Sequence, residues 1–537
     1  MRPWTAVFLT CAAAIAQDDL RVLRAPSEPA PREMVRAYLT GIANRQLAAR
    51  RQSVAGIKTA ADLDRRRDAI RKNFLRMIGG LPERTPLHLR TTGTLDRDGY
   101  RVEKLVYESQ PKFYVTANLY VPTAGAPPYP AVLQPTGHSA SAKNRAFYQS
   151  LALGLVKQGF VVLTYDPLGQ GERRIFYDPE LEDSRVGAST TVEHEMVGVQ
   201  SLLAGESVAR YMIWDGIRGI DVLSSLAYVD AKRIGVAGCS GGGTLTVYLA
   251  ALDDRVAAAA PACYVTNWEE QLKGTGPQDA EQQFPGMFRE GLNHADLVAL
   301  AAPKPYLICS TADDYFPLEG ARHTFEESKR VWSLLGAGDR IQWFSTAGGH
   351  GMPVPTREAI YGWMNRWLRG GPPGPSKEPP FETEHEETLN ATETGQVSTS
   401  LGGETASTLN RRRFGALQPA GEGSLRDRVL RLTAYEKPEG TMRSESFGLI
   451  GREGYQIERI LYWTAPERYV PALLFRPIQA NGNAVVFADT RGKAAEAAPD
   501  RDADRLARMG YTVLSIDLEG NGETASTWGG YSNVWFG

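Results

Sequence analysis

Residues 233–252 read RIGVAGCSGGGTLTVYLAAL, and this stretch decides the fold. Residues 234–237 form a short apolar run of strand type, and residues 244–252 an apolar run of helical length. Between them Gly238-Cys239-Ser240-Gly241-Gly242 fits the pattern G-x-S-x-G. A serine held on a tight strand-to-helix turn needs small neighbours, because the backbone there takes angles that larger side chains obstruct. The helix that starts at the turn points its amides toward it. With 54 glycines in 537 residues, the pentapeptide by itself is expected on the order of 0.3 times by chance. The strand before it and the helix after it give it weight.

Working outward, strands and helices alternate. Residues 131–134 and 160–165 read as strands, with a helix over 146–157 between them. A long helix passes through 217–226. After the serine come strands over 256–260, 306–309 and 341–344, then a last helix over 356–368. Short apolar strands separated by helices imply a mostly parallel sheet with helices on both faces. Upstream, residues 100–119 alternate with period two, as β-strands do. Residues 31–78 show helical spacing, stopped by Gly79-Gly80 and Pro82.

Two further segments carry chemistry. The strand at 306–309 runs into Thr311-Ala312-Asp313-Asp314-Tyr315-Phe316-Pro317. A carboxylate at such a strand end would orient an imidazole and stabilise its charged form. Spacing from the strand end and from Pro317 favours Asp313, with Asp314 as the alternative acid. The imidazole is His350, in the glycine-flanked loop Ala347-Gly348-Gly349-His350-Gly351. The order Ser240, Asp, His350 is that of the α/β-hydrolases, unlike the chymotrypsin or subtilisin orders. An oxyanion hole then needs the Gly241 amide and a second amide from Pro135-Thr136-Gly137-His138-Ser139, at His138 or its neighbour Gly137. The run Asp166 to Arg173 reads as a structural turn with an Arg–Glu pair. Trp214, Asp215, Arg218 and Asp221 read as scaffold contacts of one helix. No Cys/His or carboxylate cluster stands at ligand spacing, so neither a metal nor an organic cofactor is expected.

The bulk composition is that of a soluble globular protein: 42% hydrophobic, 23% charged, net charge −2. This near-neutral balance and the lack of basic runs give no reason to expect nucleic acid as partner. Residues 1–16 have the charge, apolar run and small-x-small ending of a secretory signal, so a secreted or periplasmic protein is expected, with no membrane contact after cleavage. Cleavage would leave Cys239, Cys263 and Cys309, an odd number in apolar surroundings, expected as buried free thiols. Residues 17–85 are expected as an N-terminal helical segment and 86–370 as the catalytic domain. Residues 371–412 are rich in Pro, Glu, Thr, Ser and Gly and read as a linker.

Residues 413–537 read as a second, incomplete copy. DGYRVEKLVYESQPKFYVTANLYVP at 98–122 aligns without a gap with EGYQIERILYWTAPERYVPALLFRP at 453–477. GFVVLTYDPLGQGE at 159–172 likewise matches GYTVLSIDLEGNGE at 510–523. The copy contains no elbow, acid or histidine, and Asp489-Thr490-Arg491-Gly492 stands where the first has Thr136-Gly137-His138. It is expected to be non-catalytic, with its last strand at an open edge.

The Gly137-His138-Ser139 loop, the 165–173 run, the serine pentapeptide, the Asp313 segment and His350-Gly351 together resemble the acetyl xylan esterase-like α/β-hydrolases of bacteria. More distantly they resemble dienelactone hydrolases and the prolyl oligopeptidase catalytic domain. The resemblance implies an α/β-hydrolase fold and hydrolysis of small-molecule or polysaccharide carboxylic esters, acetyl esters of plant polysaccharide among them. A dienelactone-type enzyme would carry cysteine at the elbow, where this chain has Ser240. A prolyl oligopeptidase-like serine peptidase and a non-catalytic secreted carbohydrate-binding protein are the alternatives.

Overall fold

The structure, a computed structural model, describes residues 19–23, 30–274, 278–418, 423–433, 435, 437, 440–465 and 467–525. The expected signal at 1–16 lies outside the described residues. The chain divides into two compact units, one of residues 43–420 and one built on residues 421–529 together with residues up to 42. Among the described residues no helix is long and apolar enough to cross a membrane.

The larger unit is organised on a nine-stranded sheet. Its strands are β1 (Arg90–Arg97), β2 (Tyr100–Gln110), β3 (Phe113–Pro122), β4 (Tyr129–Pro135), β5 (Val161–Tyr165), β6 (Val229–Cys239), β7 (Val256–Ala262), β8 (Tyr306–Asp313) and β9 (Ile341–Gly349). The spatial order is β1-β2-β3-β5-β4-β6-β7-β8-β9. The first three pairings are antiparallel and the rest parallel. β5 is buried along its whole length, which requires cover on both faces. Val132 faces the cluster formed with helices Ala146–Lys157 and Val354–Arg369. Its neighbour Leu133 points the other way, against Gly219 of helix Ala209–Ser225. That helix begins eight residues before the expected 217.

The N-terminal helical reading holds over Met34–Ala55 and Ala60–Met77. The second helix is capped reciprocally by Thr59 and Asp62 and buries Leu63, Ile70 and Phe74. Phe74 stacks on Phe284 with ring centroids 5.6 Å apart.

The expectation of a solvated linker over 371–412 is corrected. This segment forms a 3-10 turn (Glu386–Leu389) and helices Val397–Ser400 and Ala406–Ala416, and it buries Leu389 and Ala406 completely. Its anchors are polar, which is why composition misled. The Ala391 and Thr392 amides donate to the buried Glu172 carboxylate at 2.8 and 2.7 Å. Asn410 accepts from Tyr211 Oη at 2.9 Å and donates to Ser201 Oγ at 3.1 Å.

The smaller unit carries β10 (Ser444–Arg452), β11 (Tyr455–Ala465), β12 (Arg468–Pro477), β13 (Ala484–Ala488) and β14 (Thr512–Ile516). Their order is β10-β11-β12-β14-β13, with three antiparallel pairings and then a parallel one. These are the order and senses of β1-β2-β3-β5-β4. Among the described residues the edge strands are therefore β10 and β13, not the last strand as expected, because β14 inserts between β12 and β13.

Candidate active site

Ser240 sits between β6 and helix Gly241–Leu252 with φ 62° and ψ −125°, a strained conformation for a residue with a side chain. The neighbouring glycines are required by space. A Cβ on Gly238 would lie 2.5 Å from the Pro135 carbonyl oxygen, and one on Gly242 would lie 2.3 Å from the same atom. The turn is tied to β7 by the Ser240 amide, which donates to Ala262 O at 3.0 Å.

His350 follows β9 directly. Its Nδ1 meets Asp314 Oδ1 at 2.8 Å, and the Asp314 side chain is almost fully buried. Asp314 also accepts from Thr311 Oγ1 at 3.2 Å and from the Phe316 amide at 3.0 Å. Burial raises the Asp314 carboxyl, but the hydrogen bond and charge of His350 outweigh it and hold the group below its usual value. The preference for Asp313 is corrected. Strand β8 runs on to Asp313, which pairs with Gly349 and is exposed. Successive side chains alternate along a strand, so the neighbour at 314 is the one turned to the imidazole.

Asp314 accepts from Nδ1–H, which leaves Nε2 of His350 as an acceptor. It receives the Tyr315 hydroxyl at 2.9 Å, and Tyr315 Oη lies 3.4 Å from Ser240 Oγ. The structure thus brings Ser240, His350 and Asp314 into one hydrogen-bonded chain, with the Tyr315 hydroxyl seated between serine and imidazole. Sequence reasoning passed over Tyr315, since an aromatic residue beside two aspartates carries no spacing signal. Its ring packs on His350 with centroids 4.2 Å apart and is 48% exposed. Burial pushes its hydroxyl up to about 12 even though Ser240 donates to it.

The loop after β4 passes over the serine. A Cβ on Gly137 would lie 2.8 Å from Ser240 Cβ, and one on Gly241 would lie 3.1 Å from His138 Cε1. Gly137, His138 and Gly241 therefore gather around the Ser240 side chain. Gly241 opens its helix, so its amide has no acceptor within that helix. The Ser139 amide is taken by Gln170 Oε1 at 2.9 Å, which leaves the two residues before it as the second source of an amide.

The Nε2 of His138 turns to a set of other side chains. Its Nε2 lies 2.9 Å from Glu281 Oε1, 3.1 Å from His194 Nδ1 and 3.6 Å from Asp279 Oδ2. Burial opposes charge on His138, but Glu281 and Asp279 outweigh it and bring the group up to about 9. His194 and Glu281 come from distant segments, and no ligand-like spacing along the chain reveals them.

The turn after β5 is structural, but with different pairs from the expected Arg–Glu contact. Lys143 Nζ bridges Asp166 at 2.7 Å and Glu172 at 2.5 Å, all three buried. Arg173 instead pairs with Asp215 at 2.7 Å. Trp214 donates to Ser109 O at 2.7 Å and Arg218 pairs with Asp221, as scaffold contacts should. Cys239, Cys263 and Cys309 are free and buried.

Known proteins resemble this chain in family and fold. The family model for Acetyl xylan esterase (AXE1) matches residues 88–283, and that for the Prolyl oligopeptidase family matches residues 208–369. The chain is 26% identical over 315 residues to a putative hydrolase, YtaP, of Bacillus subtilis (strain 168), covering 56% of this chain and 98% of the relative. Among solved structures it is similar to Methylesterase BT1017 (TM-score 0.52, 21% identity, 74% of this chain and 81% of the other). A putative acetyl xylan esterase from Bacteroides fragilis NCTC 9343 aligns at TM-score 0.45 with 18% identity, over 54% of this chain and 76% of the other. These matches support an acetyl xylan esterase-like α/β-hydrolase family for residues 88–369.

Proposed function

We propose that the chain is a serine esterase that hydrolyses carboxylic esters, acetyl esters of plant polysaccharide among them, through an acyl-enzyme on Ser240. The observation that carries this reading is the hydrogen-bonded chain from Asp314 through His350 and Tyr315 to a serine held at φ 62° on the elbow.

In the proposed cycle the half-exposed Tyr315 ring turns aside when substrate enters, and His350 Nε2 takes the Ser240 proton. The freed Oγ bonds to the ester carbonyl carbon. The oxyanion is held by amides at Gly241 and at the Gly137-His138 loop. As the C–O bond to the alcohol breaks, the imidazolium returns the proton to the leaving alkoxide. Water, deprotonated by His350, then attacks the acyl-enzyme and releases the acid and the serine. Asp314 keeps the imidazole in its tautomer and offsets its charge. The site is open, with His350 about a quarter exposed, which suits an ester on a bulky alcohol. The export signal read at residues 1–16 would place the enzyme where such polymers are met.

The family match over 208–369 to prolyl oligopeptidases favours a second reading, peptide-bond hydrolysis by the same residues, since one triad serves esters and amides. Parallel assays on acetylated xylan, p-nitrophenyl acetate and a peptide amide separate the two. Turnover of the acetyl esters, lost in Ser240→Ala, is expected. Turnover of the amide alone would overturn the esterase reading.

A further inference from the structure

Beside the proposed esterase centre, three distant segments bring His138, His194 and Glu281 together. His138 stands in the loop after β4, His194 on helix Thr190–Leu203, and Glu281 in the chain between β7 and β8. The ligand-type atoms nearly touch. His138 Nε2 and His194 Nδ1 are 3.1 Å apart, His138 Nε2 is 2.9 Å from Glu281 Oε1, and His194 Nδ1 is 3.1 Å from Glu281 Oε2. Glu281 and His194 are fully buried.

Two observations say what these atoms face. First, His194 Nε2 lies 2.6 Å from the Leu168 carbonyl oxygen. A carbonyl only accepts, so Nε2 carries a proton and Nδ1 is the nitrogen turned to the carboxylate. Metal-bound histidines have this arrangement, with the second nitrogen donating to a carbonyl. Second, neither Glu281 oxygen receives a well-directed hydrogen bond, so the buried carboxylate is met only by the two imidazoles.

The spacing suits a metal ion. Nitrogen and oxygen ligands about 2.1 Å from one centre and at right angles to each other are separated by about 3.0 Å, close to the separations here, where Glu281 offers Oε1 to His138 and Oε2 to His194. Two imidazoles and one carboxylate form the facial set used by first-row transition metals. We propose that His138 Nε2, His194 Nδ1 and the Glu281 carboxylate form a binding site for a divalent transition-metal ion, with Asp279, 3.6 Å from His138 Nε2, as a further oxygen donor. The His138 ring lies against Gly241. The ion therefore sits one imidazole away from the elbow and anchors the 136–139 loop without touching the nucleophile.

The test is metal uptake by the purified full chain. Protein stripped with a chelator is titrated with Co2+ and followed by its d–d absorption, then with Zn2+ as competitor, and metal content is measured by mass spectrometry. About one equivalent is expected, with a higher unfolding midpoint in the loaded protein by linkage. Glu281→Gln and His194→Gln, checked for folding by circular dichroism, should lose uptake. Ser240→Ala should keep it whether or not the chain proves to be an esterase. Failure of the folded wild type to take up Co2+ or Zn2+, or uptake unchanged in both ligand variants, overturns the proposal.

Discussion

The two units share a scaffold and differ in what is attached to it. Both place five strands in the same order and senses. Both bury a lysine between two carboxylates: Lys143 with Asp166 and Glu172 in the larger unit, Lys493 with Asp517 and Glu523 in the smaller. In each, the glutamate also captures two successive backbone amides of a passing segment. Glu172 holds those of Ala391 and Thr392 at 2.8 and 2.7 Å, and Glu523 those of Val22 and Leu23, both at 2.8 Å. The trio is thus a structural clasp that works with or without a catalytic centre. What separates the units lies beyond β4 and β13. In the larger unit β4 pairs with β6 and leads to the elbow. In the smaller, β13 pairs only with β14 among the described residues and leaves Val486 70% exposed. The loop after β13 carries an Asp489–Arg491 ion pair at 2.8 Å, where the loop after β4 places glycine and histidine over the serine. The candidate catalytic residues follow β6, β8 and β9, beside the loop that meets them.

That division can be broken most directly at the elbow. Ser240→Ala should lower ester turnover by at least about 10⁴-fold, measured as kcat/KM on an acetyl ester, with the clasp and unfolding midpoint unchanged. Asp314→Asn should cost about 10³- to 10⁴-fold by freeing the wrong tautomer of His350, while Asp313→Asn should stay within about threefold of wild type. A comparable loss in Asp313→Asn would reassign the acid.

Gly137→Ala should cost about 10- to 100-fold, because the new methyl group would lie 2.5 Å from the Cys239 carbonyl oxygen and 2.8 Å from Ser240 Cβ. In the corresponding loop of the smaller unit the crowded glycine is Gly492, whose Cβ would lie 2.7 Å from Gly522 Cα and 2.9 Å from Asp517 Oδ1.

The clasp is the place to sharpen the comparison. Burial raises the Glu172 carboxyl, but Lys143 and the Ala391 amide outweigh it and lower it overall. A carboxyl whose folded value is depressed stabilises the fold above its unfolded value near 4.5, and that contribution is lost as pH falls through the folded value. Hydrogen exchange at Ala391 and Thr392 should therefore accelerate as pH falls below that range, after correction for the intrinsic rate. Glu172→Gln should destabilise the larger unit by about 3 kcal/mol by leaving Lys143 with one carboxylate, and should flatten this acid limb. The smallest effect is expected at Tyr315. If its hydroxyl only fills the seat between Ser240 and His350, Tyr315→Phe should keep kcat/KM within about threefold. A loss above about 100-fold would make the phenol a proton carrier.

Much of this was legible in the sequence where local chemistry dominates. Residues 233–252 announce strand, turn and helix through apolar runs and glycines whose missing Cβ atoms the backbone requires. Local pattern favours Asp313 over Asp314, although Asp314 is the carboxylate that meets His350, because the end of β8 is set by its pairing with Gly349, which no local pattern records. The segment at 371–412 was misread because its stability comes from amides on a buried glutamate rather than from apolar residues of its own. Tyr315 and the His138–His194–Glu281 group were invisible for the same reason: their meaning lies in contacts between segments tens of residues apart or more.

The central claim is that a hydroxyl at position 240 is made nucleophilic by His350 and Asp314. A fluorophosphonate probe followed by peptide mapping tests it. The adduct should form on Ser240 in the wild type, vanish in Ser240→Ala and fall sharply in folded His350→Ala. A folded wild-type chain that takes no label, or takes it on another residue, would contradict the account.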